Sequence, residues 1–266
     1  MNSSRWLIVL FALIAFGGLL YGERLPDEYE RVLIPVLPVG SWPAQLWIRN
    51  DGTEPVDLFP LVRDADSPSR GTFFPLNEPG VQPGQTLEYP VVFSPSPMPY
   101  YVPLTPTYSG AILYVERGKG QNVRFQLRVA GDTQIPVVPE QDFVATPLSL
   151  LRINIIPGKR YTLRVYSLDQ EPSVAVEFAP EVGGLPVDSQ FFRLNRVDAI
   201  ARCAFPPCPW PDVPFAPAYA ALFFDTTTVP PWNYRITVTA DPGTKIWAFL
   251  SETDVVTRDV RVFTPN

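Results

Sequence analysis

The stretch Gln121-Asn-Val-Arg-Phe-Gln-Leu-Arg-Val-Ala130 decides the fold class. Val123, Phe125, Leu127 and Val129 alternate with Arg124, Gln126 and Arg128. A period of two sends the first set to one face of an extended strand and the second to the other. The same alternation recurs to either side. Arg160–Tyr166 sets Tyr161, Leu163 and Val165 against Thr162 and Arg164, Arg235–Thr239 carries Ile236 and Val238, and Asp259–Phe263 carries Val260 and Val262. One buried and one solvated face per strand is the mark of antiparallel sheets. Further strands are read at 31–37, 45–49, 56–61, 87–93, 109–116, 174–178, 218–224 and 245–250. No stretch keeps a helical period beyond two turns, and Val197–Arg202 offers one helical turn at most.

Turn chemistry agrees with this reading. Asn50-Asp51-Gly52 and Gly118-Lys119-Gly120 each lie between extended runs and read as hairpin turns. Pro83-Gly84, Pro157-Gly158 and Pro242-Gly243 each precede a strand. Proline presets the first turn angle and glycine accepts the positive φ, so each pair predicts a type II turn.

Composition narrows the function classes. The chain has 266 residues, 33 of them proline, more than double the usual share of about 5%. Lys+Arg number 21 and Asp+Glu 27, a net charge of −6, and histidine is absent. Without histidine there is no Ser-His or Cys-His catalytic system and no His-ligated metal site. An acidic chain with no basic run points away from nucleic acid. Two loops concentrate the proline, Ser94–Thr107 and Ala204–Ala218, and neither can join a central ladder. Gly131–Gln141, with Pro136 and Pro139, separates two blocks of strands.

The amino terminus reads as an export signal. Arg5 precedes an uncharged run from Trp6 to Gly22, and acidic residues (Glu23, Asp27, Glu28, Glu30) follow. Cleaved signal peptide and retained anchor both remain open, with a buried core helix as the plain alternative. Either export reading places the bulk of the chain outside the cytoplasm, touching a membrane only through this segment. No cysteine follows the run, so a lipoprotein anchor is excluded. Cys203 and Cys208 flank Ala-Phe-Pro-Pro and fit a short disulfide in an oxidising compartment better than a redox pair or a metal site.

The expected organisation is all-β: two tandem antiparallel β-sandwich domains after an N-terminal apolar export segment. The segments are residues 1–22 as signal peptide or anchor, 31–130 as the first domain, 131–141 as linker and 142–266 as the second domain. The run from Gln45-Leu-Trp-Ile-Arg-Asn-Asp-Gly-Thr-Glu-Pro-Val56 to Pro83-Gly84-Gln-Thr-Leu87 resembles bacterial extracytoplasmic immunoglobulin/fibronectin-type domains, over about residues 31–130. Leu163-Arg-Val-Tyr166 and Ile246-Trp-Ala-Phe249 are similar to the C-terminal half of secreted two-domain β-proteins of environmental bacteria. The Cys…Trp…Cys core of antibody domains is missing. These resemblances imply fold and location and carry no catalytic set.

Candidate chemistry is sparse. Asp64-Ala-Asp66 reads as a solvated loop, with Ca²⁺ as the alternative, though regular oxygen ligands do not follow. Asp57, Asp64 and Asp225 are the acids a glycosidase pair would draw on. Glu140 and Asp142 read as linker hydration. Lys119, Lys159 and Lys245 lie beside turns, and no Gly-x-Ser-x-Gly elbow exists for a serine nucleophile. Trp47 and Trp247 read as packing residues within strands. Trp42, Tyr100, Tyr101, Trp210 and Trp232 sit beside prolines in loops, where a pre-positioned ring can stack on a ligand or cap the end of a sandwich.

The expected function is non-catalytic binding or adhesion at the cell surface or outside the cell, toward a protein or glycan partner, with no cofactor and no metal. Trp210, Trp232, Tyr100, Tyr101 and Trp42 are the expected contacts. Two alternatives stand beside it. One is a structural subunit of a surface filament or layer, self-assembling through the strands at Arg31–Leu37 and Val255–Phe263. The other is a polysaccharide-binding or carboxylate-dependent glycan-hydrolysing protein.

Overall fold

A computed structural model describes residues 29–35, 44–59, 62–63, 71–72, 80–91, 110–129, 133–145, 147–168, 171–196 and 217–265. Among these the chain is all-β, with only single 3-10 turns at Gly120–Asn122 and Glu140–Asp142. Every strand pairing is antiparallel, as the alternating patterns require.

Residues 29–139 build two sheets. Sheet I has the order β10 (Val138–Pro139), β1 (Tyr29–Ile34), β7 (Ala111–Glu116), β3 (Leu58–Phe59). Sheet II has the order β6 (Thr86–Val91), β2 (Ala44–Asn50), β8 (Val123–Val129), β9 (Thr133–Ile135). A small hairpin joins β4 (Val62–Arg63) to β5 (Gly71–Thr72). Residues 148–263 build two more. Sheet III has the order β11 (Leu148–Ile155), β17 (Trp232–Ala240), β13 (Ser173–Pro180), β14 (Asp188–Arg193). Sheet IV has the order β15 (Asn195–Arg196), β16 (Ala218–Phe224), β12 (Lys159–Ser167), β18 (Trp247–Asp254), β19 (Val260–Phe263).

Sheets III and IV face one another in a sandwich-like pair. Leu150, Ile153, Val176, Phe178, Ile236 and Val238 from III pack on Tyr161, Leu163, Val165, Ala248 and Leu250 from IV. A second apolar cluster runs through sheets I and II and continues onto Tyr166, Leu168, Trp247 and Phe249. Tyr166, Trp247 and Phe249 belong to the opposite face of sheet IV, because neighbours along a strand alternate, and Leu168 follows directly on β12. Sheet IV is therefore covered on both sides.

Several expectations change at this point. Arg164, read as solvated, is 3% exposed. Its Nη1 donates to Ser251 Oγ at 2.8 Å and its guanidinium stands 5.4 Å from the centre of the Phe249 ring. Burial holds its pKa below the usual arginine value, opposed by Tyr166 and Tyr219. The 131–141 stretch, read as an open linker, is laced into the first block: β9 pairs with β8, and β10 pairs with β1. Glu140, read as linker hydration, accepts from Arg31 Nε at 2.9 Å and Nη2 at 2.5 Å. The Arg31 bonds hold the Glu140 carboxyl below the ordinary range. Asp142 is exposed.

Neither expected hairpin is one. Asn50-Asp51-Gly52 leaves sheet II and the chain next bridges Val56 to Val81. The buried Asn50 amide donates to Glu54 O and Val81 O, both at 2.7 Å, and its Oδ1 accepts from Gly52 N at 2.8 Å. The side chain supplies the turn's bonds where no ladder exists. Gly118-Lys119-Gly120 arches from β7 in sheet I to β8 in sheet II, and a Cβ on Gly120 would fall 1.9 Å from a Glu30 carboxylate oxygen. The three Pro-Gly turns hold as read, with φ of 72° at Gly84, 80° at Gly158 and 81° at Gly243.

Candidate functional site

Among the described residues, the one proline-flanked aromatic of the five expected contacts is Trp232. It opens β17, opposite Ile155 of β11, and the residue is 62% exposed. A shallow cleft of about 270 Å³ lies beside it, lined by Asn154, Ile155, Ile156, Pro231, Trp232 and Asn233.

Both walls of this cleft are pinned from the core. Tyr161 is fully buried. Its hydroxyl donates to Asn154 O at 2.8 Å and accepts from Ile156 N at 3.1 Å, which fixes the end of β11 ahead of the Pro157-Gly158 turn. Burial is the largest cause raising its pKa. On the other wall the Tyr234 hydroxyl donates to Pro230 O at 2.9 Å. The rings themselves are locked. Tyr161 stacks on Phe224 at 5.4 Å, and Phe178 meets Phe224 and Tyr234 edge-on at 4.9 and 6.3 Å. The loop entering Trp232 is held by Asp225, whose Oδ1 accepts from Thr227 N at 2.7 Å and Thr227 Oγ1 at 2.5 Å. The Thr227 hydroxyl bond, with the backbone bond behind it, holds the Asp225 carboxyl below its ordinary pKa. Asp225 is thus a turn cap, and nothing in these bonds sets it up as a general acid.

The described lining residues are two asparagines, two isoleucines, a proline and a tryptophan, none of them titratable. By its chemistry an exposed indole beside backbone and carboxamide groups is suited to a flat apolar face with hydroxyls or amides at its edge.

The remaining expected residues distribute as follows. Trp42, Tyr100, Tyr101, Trp210, Cys203, Cys208, Asp64, Asp66, Val197–Arg202 and residues 1–22 lie outside the described residues. Trp247 is buried, and Trp47 is half-buried beneath the Arg128 guanidinium, 4.4 Å from its ring centre. Lys159 pairs with Asp254 at 2.8 Å and Glu252 at 3.8 Å. The Lys159 bond, with backbone bonds from Thr257 and Val256, holds Asp254 far below the carboxylate range. Lys119 sits 3.0 Å from Glu116 and 3.4 Å from Glu54, and Lys245 is exposed. The expected assembly strand at Arg31–Leu37 is corrected: β1 is interior, paired with β10 on one side and β7 on the other. Val260–Phe263 does form a sheet edge, β19, but Val260 O accepts a bond from Thr133 Oγ1 at 3.2 Å. Among the described residues no group of three or more acids or cysteines is arranged for a metal, and no helix is long and apolar enough to cross a membrane.

The asparagines of the cleft escaped sequence reading because β11 did. Leu150 and Ile153 are out of register across a bulge, with Arg152 at a φ of 58°. The extra residue breaks the period of two and hides the strand. No family model, curated protein or solved structure matches this chain.

Proposed function

We propose that this chain is an extracytoplasmic, non-catalytic binding or adhesion protein, and that the Trp232 cleft is its ligand contact. In this reading the strands form two tandem immunoglobulin/fibronectin-like units, 31–130 and 142–266, behind an N-terminal export segment, with Cys203 and Cys208 joined. The supporting observation is an exposed tryptophan at the end of sheet III, beside segments held by buried tyrosine anchors and a cleft with no titratable group among its described lining residues. A ring already fixed in place loses little freedom when a ligand stacks on it. A sugar ring or a flat peptide side chain suits it.

The test is retention of the exported chain on a glycan array and on intact cells. Trp232→Ala is expected to weaken retention at least about tenfold, the worth of one aromatic anchor, with an unchanged melting temperature. Equal retention by both proteins overturns the cleft as the contact. Glycan cleavage on the array overturns the non-catalytic reading. A second reading, a structural subunit assembling through strand edges, draws on one observation, that β14 ends sheet III among the described residues.

A further inference from the structure

Exposed apolar side chains lie along one edge of sheet III: Val182 at 92%, Leu185 at 86%, Val187 at 50% and Phe191 at 78%. They belong to the β13–β14 loop and to β14 itself, which among the described residues pairs with β13 and no other strand. We propose that β14 is the pairing edge of a two-fold dimer, in which sheet III of one copy continues antiparallel into sheet III of a second. This deepens the structural-subunit reading and rests on it.

Backbone geometry sets the register. Leu194 N donates to Pro172 O at 2.9 Å, which makes Leu194 and Pro172 a hydrogen-bonded pair. Antiparallel ladders alternate. Asp188, Gln190 and Phe192 therefore turn their N–H and C=O toward β13, while Ser189, Phe191 and Arg193 turn theirs outward. A two-fold axis normal to the sheet keeps the inner faces of both copies on one side. Centred on Phe191, it sets Phe191 opposite the second copy's Phe191, and Ser189 opposite its Arg193. All of these are outward-bonding residues, so the new ladder closes without a register fault.

Side chains agree with that register. Phe191 shares the outer face with Ala175, its partner on β13, so the two Phe191 rings meet there. Ser189 is paired with Glu177 on β13. Arg193 of the second copy therefore lies in line with Ser189 and, beyond it, the Glu177 carboxylate. Symmetry forms this acid–base match twice. A foreign strand would have to bring the same charges in the same order, whereas a second copy carries them already. The present bonds of these groups are exposed and cheap to exchange. Arg193 Nε donates to Glu171 O at 3.2 Å, Nη2 stands 3.8 Å from the Glu171 carboxylate, and Ser189 N donates to Asp188 Oδ1 at 2.9 Å. Six edge residues cover much less than the roughly 1,600 Å² of a standard interface, so the dimer is weak and concentration-dependent.

Cysteine trapping on the full chain under mild oxidant tests the register, read as covalent dimer on non-reducing gels. Hydrogen-bonded partners lie about 5.5 Å apart at Cα, within disulfide reach. Phe191→Cys is expected to trap a dimer, while Gln190→Cys and Arg235→Cys, which do not face their own copies, trap none. Sedimentation of Phe191→Lys should show dimerisation weakened about tenfold, since like charges then sit opposite. A chain that self-associates while Phe191→Cys traps nothing sinks this edge and leaves assembly standing. A chain that stays monomeric by sedimentation and traps nothing sinks both.

Discussion

The outer faces of sheets III and IV have opposite fates, although they flank one core. On sheet IV the outward positions at one end of β12 and β18 are Arg164, Tyr166, Trp247 and Phe249, and all four are buried. On sheet III the corresponding rows hold Ser149, Thr237, Glu177 and Ser189, then Thr239, Ala175 and Phe191, all exposed or half-buried. Hydrogen bonding treats the two sheets alike. What separates them is ring content on the outer face. Large rings bury 150–250 Å² each, so sheet IV gains a neighbour, and a floor of serine, threonine and alanine offers a second layer little to bury.

The sharpest way to break the contrast is to strip the covered face. Phe249→Ala should destabilise the chain by about 3–5 kcal/mol, read from the urea midpoint. A loss under about 1 kcal/mol would mean the blocks do not share a core. Next comes the buried guanidinium. Ser251→Ala removes the hydroxyl facing Arg164 Nη1 and should cost about 1–3 kcal/mol. Arg164→Leu, which removes the charge as well, should be close to neutral. If both variants lose the same stability, burial of the charge is not the governing cost.

Alkaline pH sharpens the comparison further. Burial raises the pKa of Tyr166 well above the usual value, and of Tyr219 above it. Below pH about 10 tyrosine is neutral in both states and contributes no pH dependence. Above it the unfolded chain ionises first and the folded chain retains more protons, so stability falls as pH rises. Tyr166→Phe should flatten the fall in melting temperature between pH about 9.5 and 11. Among the described residues the Tyr166 hydroxyl has no hydrogen-bond partner, so this change should cost little at neutral pH. The smallest effect belongs to the bare face. Thr239→Ala should stay within about 0.5 kcal/mol of the parent, and a larger loss would show that sheet III is covered in solution.

Much of the fold was legible. Alternation found β8, β12, β17 and β19, because each obeys the period of two, and the Pro-Gly turns fell where backbone chemistry puts them. The failures are specific. A period of two says which residues share a face and is silent on whether that face meets water. Arg164 sat among polar neighbours in the pattern, yet Phe249 and Trp247, some eighty residues later, decide its burial. Asn50 and Gly118–Gly120 carry hairpin chemistry but serve crossings between sheets, which depend on partners far along the chain. At the cleft, Trp232 was legible as a ring beside prolines. Asn154 and Asn233 were not, since only the ladder between β11 and β17 brings them together.

One consequence follows from the lacing of residues 133–144. This stretch is paired to sheets II and I, capped by the Arg31–Glu140 contact, and bridged from Val144 to Ile246 on the way into sheet IV. It has no slack to act as a hinge. A tug applied at the Trp232 end of sheet III would reach the opposite half as shear across ladders and packed rings, the stiff response of a strut.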